Sequence, residues 1–193
     1  MPNWCSNFAT FRHKDPDQLV KMAKAIDDDE LFNAFVPMPE ELKGTEGLAG
    51  NDRELEAKYG ASDWYSWAVG NWGTKWDASD AIINYKDDEC IELSFETAWS
   101  PPEGFYARLM DLGWDVDAYY YEPGMSFCGH WADGCDEAYE IPATSEETRN
   151  TIPQDIDDMF AISESQAEYE EQENEELTEW LKEGIEAKKL ETA

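Results

Sequence analysis

Cationic side chains are scarce in this chain. Its 193 residues hold 14 Lys and Arg against 45 Asp and Glu, a formal net charge of −31. Phosphate backbones are gripped by clustered Lys and Arg, so direct binding of DNA or RNA is excluded as the main activity. Anionic membrane surfaces repel such a chain for the same reason. Histidine is rarer still, with only His13 and His130. The four cysteines, Cys5, Cys90, Cys128 and Cys135, form no CxxC pair. No glycine-rich phosphate cradle, nucleophile elbow or papain-like pattern is present. No apolar run approaches the length of a membrane span. The opening MPNWCSNF has neither a basic n-region nor an apolar h-region, so a cytoplasmic chain with reduced thiols is expected.

What the chain does have is aromatic bulk: 9 Trp, 9 Tyr and 8 Phe. Large rings bury much area each, so a compact core is expected although only 41% of residues are hydrophobic. The acidic field favours basic partners and speeds their encounter. A solubility or salt adaptation would give the same composition.

The local patterns predict an order of elements. A first strand fits Asn3–His13. Asp15 and Pro16 then read as N-cap and first turn of a helix whose face is Leu19, Met22, Ala23 and Ile26. Leu31–Val36 reads as a short strand stopped by Pro37 and Pro39. Residues 40–62 read as an inserted loop with a short helix near Asp52–Tyr59. Asp63 caps a helix bearing Trp64, Trp67 and Ala68, which Gly70 and Gly73 break. Strands are expected at Ala81–Tyr85 and Cys90–Glu96. A second amphipathic helix follows Pro101 and Pro102 with Phe105, Leu109 and Leu112 on one face, and Gly113 stands where it ends. Trp114–Glu122 and Met125–Trp131 read as a hairpin around Pro123 and Gly124, with a further strand at Glu137–Ile141. The sum is an α+β fold, helices on one face of a mostly antiparallel sheet, with a ferredoxin-like core over residues 1–142. Residues 143–193 read as an acidic, mainly helical extension. Acidity is densest there, with 19 acidic and 4 basic residues from Asp136 to Ala193.

Four stretches are more specific than their composition: MPNWCSN (1–7), NWGTKWD (71–77), TAWSPP (97–102) and YYEPGMSFCGHW (120–131). In this order they resemble the YubB ferredoxin-like family of phage- and plasmid-borne proteins, over roughly residues 1–135. The resemblance implies a ferredoxin-like core without an iron–sulfur cluster and a mobile-element origin, hence the cytoplasm of a bacterial host. It supplies no catalytic residue, and fold analogy says little of function.

Two sets of residues carry candidate functions. Asn71, Trp72, Lys75, Trp76 and Asp77, with Thr97, Trp99, Ser100, Tyr121 and Glu122, would line a pocket in which indoles stack a planar ligand and Lys75 meets an anion. The competing reading is that the tryptophans fill the core and Lys75 pairs with a carboxylate. In the tail, Glu168, Glu171, Glu175, Glu176, Glu179 and Glu183 would present charge around the apolar anchors Trp180 and Leu181. Cys128, His130 and Cys135 invite a zinc reading, but their spacing is irregular and the set lacks a fourth ligand. No metal or cofactor is therefore expected. The first functional expectation is a mobile-element protein that blocks a basic host nuclease, restriction enzyme or other DNA-binding factor by imitating DNA. The second is a small-molecule or nucleotide site at the Trp-rich loop, in a sequestering module or an enzyme.

Overall fold

The computed structural model describes residues 3–47 and 52–191, with side chains through residue 182. Two compact units result, Met1–Glu140 and Ile141–Ala193. In chain order the first contains β1 (Trp4–Arg12), α1 (Pro16–Asp27), α2 (Leu31–Phe35), α3 (Glu40–Lys43), α4 (Arg53–Tyr59), α5 (Trp64–Trp72), β2 (Ser79–Lys86), β3 (Cys90–Ala98), α6 (Glu103–Asp111), β4 (Asp115–Glu122), β5 (Phe127–Ala132) and β6 (Cys135–Glu140). The fold is α+β. Among the described residues six strands form one sheet in the order β2-β3-β1-β4-β5-β6, and every neighbouring pair is antiparallel.

Strand alternation sorts the side chains. On β1, Cys5, Ala9 and Phe11 are fully buried, while Ser6, Phe8 and Thr10 on the other face are half-exposed. The buried face packs against Leu19 and Met22 of α1, Phe32 of α2, Leu42 of α3, Trp67 and Trp72 of α5, and Phe105 and Leu109 of α6. Phe105 is a hub of this layer. Its ring centre lies 4.5 Å from Phe32, 6.4 Å from Phe35 and 6.5 Å from Phe11. The capping signals act as read: the Asp15, Asp52 and Asp63 side chains each accept from backbone N–H groups of the helix they open.

Leu31–Val36 is not a strand. It begins a short helix that buries Leu31, Phe32 and Phe35. Glu30, at its N-cap, makes no side-chain cap. The carboxylate of Asp77 does this instead, accepting from Phe32 N at 2.7 Å and Asn33 N at 2.9 Å. Six residues cannot show whether their period is 2 or 3.6, and a cap 45 positions away is invisible to a local reading. Asp77→Ala should lower stability by about 1–2 kcal/mol, the usual effect of losing a cap. Asp77→Asn should recover part of that, because its amide oxygen still accepts; urea unfolding of both variants checks this.

Two other expectations need correction. Leu112 lies at the C-cap of α6, 54% exposed, so it is not on the buried face. Residues 40–62 are more than a loop, since α3 puts Leu42 fully into the core and Ala61 is buried as well. Residues 48–51 of that stretch lie outside the described residues.

The second unit contains α7 (Ser145–Thr151), α8 (Gln154–Phe160) and α9 (Ile162–Glu191). Ile152, Ile156 and Ile162 are its buried large apolar residues among those described. Asp157 accepts from Ser163 N at 2.7 Å and Ser163 Oγ at 2.6 Å, which holds the corner where Ala161 turns the chain at φ +50°. Glu170 of α9 accepts from Ser145 N at 2.7 Å and Oγ at 2.8 Å, capping α7 from a distance. These bonds hold the Glu170 carboxyl below the usual range.

Candidate functional site

The structure divides the ten residues expected around the Trp-rich loop into a scaffold and a displayed group. Trp72 is 5% exposed and its Nε1 donates to Val36 O at 2.9 Å, so this indole belongs to the core. Asn71 donates to Trp67 O within α5. Asp77 caps α2, and burial pushes its carboxyl upward against the lowering effect of three backbone N–H donors. Thr97 is fully buried; its Oγ1 donates to Ser100 O at 2.8 Å and accepts from Asn7 Nδ2 at 2.8 Å. Ser100 Oγ donates to Gly73 O at 2.8 Å, which ties the loop after α5 to the loop after β3. Glu122 is buried and accepts from Met125 N in the β4–β5 turn. Tyr121 sits on the opposite sheet face, beside Ser6.

The displayed group is Lys75, Trp76 and Trp99, joined by Trp4 and Tyr65. The Lys75 ammonium lies 4.3 Å from the Trp76 ring centre and 5.0 Å from that of Trp99. Trp4 is 6.3 Å from Trp76, and Tyr65 meets Trp99 edge-on at 6.5 Å. Trp4, Trp76 and Trp99 are each 38–40% exposed. The reading that Lys75 pairs with a local carboxylate does not hold. Among the described residues it makes no ion pair, even in a chain of net charge −31. A cation over indole faces gains attraction from the ring quadrupole.

Trp99 adopts φ +71°. A bulky non-glycine residue there is an outlier that costs on the order of 1–3 kcal/mol and persists only where its surroundings enforce it. Here Trp99 N donates to Asn3 O at 3.0 Å and Thr97 holds Ser100, so the backbone is fixed on both sides. Such strain clusters at functional sites. Trp4 was legible as part of a motif but not as a site member, because β1 brings it to Trp76 only through the sheet. Tyr65 gave no separate signal.

In the tail, Glu168, Glu171, Glu175, Glu176 and Glu179 are exposed on α9. Leu177, Trp180 and Leu181 stand among them at 54%, 68% and 49% exposure. The Glu183 side chain lies outside the described residues. Cys128 and His130 share a sheet face, as their spacing implies, but His130 is engaged otherwise. Its Nε2 is 3.0 Å from Asp117 Oδ1 and its ring stacks on Tyr119. Cys135 lies opposite Ala132 on β6 and is exposed. Burial pushes the Cys5 thiol far up, which denies it the thiolate that nucleophilic catalysis needs.

No family model matches this chain, and no curated protein matches it. Among solved structures, protein api92 from Yersinia pseudotuberculosis, described with the family model DUF1281, matches over 58% of this chain at 19% identity and a TM-score of 0.39. The match covers 39% of the api92 chain. A likeness at that level carries no argument about what this chain does.

Proposed function

We propose that this chain is an interaction protein of a mobile genetic element, with a ferredoxin-like core and an acidic C-terminal extension. It acts in the cytoplasm of a bacterial host by occupying the cationic nucleic-acid groove of a basic protein, such as a nuclease, a restriction enzyme or another DNA-binding factor. The observation that carries this reading is α9, where Trp180, Leu177 and Leu181 are exposed among glutamates. Carboxylates along a helix match the negative charge of a nucleic-acid backbone and steer encounter with a basic groove. Apolar anchors at their centre supply the affinity that screened charge alone does not.

The test uses tagged full-length chain expressed in the bacterial host. The expected result is one stoichiometric basic partner that leaves as salt rises and is displaced by duplex DNA. Trp180→Ala should then weaken that partner roughly tenfold or more, as for a buried aromatic anchor. Retention that ignores salt, DNA and Trp180 alike would sink the proposal.

A second reading, favoured by the enforced φ of Trp99, places a planar anionic ligand against Trp76, Lys75 and Trp99, in a sequestering module or an enzyme. Under it, Lys75→Ala with Trp76→Ala abolishes activity, and deletion of residues 143–193 leaves it intact.

A further inference from the structure

One face of the sheet packs on the helices; the other carries a pattern of its own. Register places Phe8 of β1 opposite Tyr119 of β4, and Tyr119 opposite His130 of β5, giving an aromatic row across three strands. On one side of that row Thr10 lies between Glu92 and Asp117, and on the other Ser6 lies between Glu96 and Tyr121. Successive same-face rows are about 7 Å apart, within the reach of one long side chain. Phe8, Tyr119, Tyr121, Glu92 and Glu96 are all half-exposed. None of these rows contains Lys or Arg. Arg12, at the end of β1, is 3.6 Å from Asp115.

The face already holds one planar, cation-capable ring. His130 lies flat on Tyr119, with ring centres 4.2 Å apart and planes 11° from parallel, and its Nε2 is 3.0 Å from Asp117 Oδ1. A guanidinium binds in the same manner, stacked on an aromatic ring while its N–H groups meet a carboxylate. Phe8 offers a ring diagonal to Glu92, Glu96 and Asp117 in the strand register.

We propose that this open sheet face docks an extended, arginine-bearing segment of a protein partner. Charge complementarity selects that occupant, since the rows pair rings with carboxylates and contain no Lys or Arg. A second copy of this chain would bring another net charge of −31 against the same face. The proposal rests on the reading that the partner is basic, but not on α9 being the element it grips.

The test is an amide NMR titration of the full chain with a ten-residue alternating Arg-Ser peptide and a Lys-Ser peptide of equal charge. Shifts should concentrate at residues 6–10 and 117–121, and the arginine peptide should bind about three- to tenfold more tightly, because only guanidinium both stacks and forks. Phe8→Thr should reduce that preference. Glu92→Gln with Glu96→Gln, which keeps side-chain shape, should weaken the arginine peptide several-fold if Phe8→Thr fails to fold. Equal affinity for the two peptides overturns the proposal, as does self-association through this face. Shifts confined to α9 overturn it too while leaving the α9 reading standing; shifts on the sheet and none on α9 do the reverse.

Discussion

Trp72→Ala should lower the unfolding free energy by about 3–5 kcal/mol, whereas Trp99→Gly should leave it within about 1 kcal/mol of the parent. The two indoles belong to the same loop region, yet their surroundings are opposite. Trp72 is 5% exposed, meets Phe32 at 6.0 Å and Trp67 at 5.5 Å, and satisfies its N–H on Val36 O. Truncation leaves a cavity among rings that cannot collapse into it, and orphans the Val36 carbonyl. Trp99 is 38% exposed and sits at φ +71°, which glycine adopts without strain. Relief of about 1–3 kcal/mol there offsets the lost edge contact with Tyr65, about 0.5–1.5 kcal/mol, and the lost Lys75 contact, about 0.5–1 kcal/mol. Urea denaturation followed by circular dichroism measures both. A loss above about 3 kcal/mol for Trp99→Gly would make Trp99 a core residue and remove the strain argument for the displayed cluster.

Gly129→Ala should destabilise by about 3 kcal/mol or more, at the upper end of overpacking effects. A Cβ at this position would stand 2.6 Å from Glu137 O of β6 and closer still to the Oη and Cζ of Tyr120. Glycine is required here for space. Tyr120 faces Gly129 across the β4–β5 ladder, and its ring crosses β5 to donate to Asp136 Oδ1 at 2.8 Å. The ring is 1% exposed, so it has nowhere to move without breaking that bond. Burial, followed by the bond to Asp136, holds the Tyr120 phenol well above its ordinary range, so it remains a donor at every working pH. Thermal unfolding checks the prediction. A Gly129→Ala chain as stable as the parent would mean that β6 shifts freely at the sheet edge.

Much of the fold was legible because its signals are local. Asp15 with Pro16, Asp52 and Asp63 carry their own capping chemistry, and the hairpin Trp114–Trp131 carries alternation on both sides of a Pro-Gly turn. Leu31–Val36 was misread because its helix is capped by Asp77, and sequence distance hides such a partner. The candidate site was legible only in part. Lys75, Trp76 and Trp99 were named, but so were Trp72 and Thr97, which look the same in sequence and turn out to be core. Trp4 and Tyr65 were missed because the pairing of β1 with β3 and the packing of α5 bring them there. The open-face rows were invisible for the same reason, since Phe8, Tyr119 and His130 meet only through strand register.

By itself, the sequence determined the α+β class, the acidic character and most element positions, because composition and period act along the chain. The tertiary structure alone decided which tryptophans are buried, which carboxylate caps which helix, and which aromatic and acidic side chains share a face. Those are consequences of strand order and packing, where one step in register moves a side chain from the core to the opposite surface.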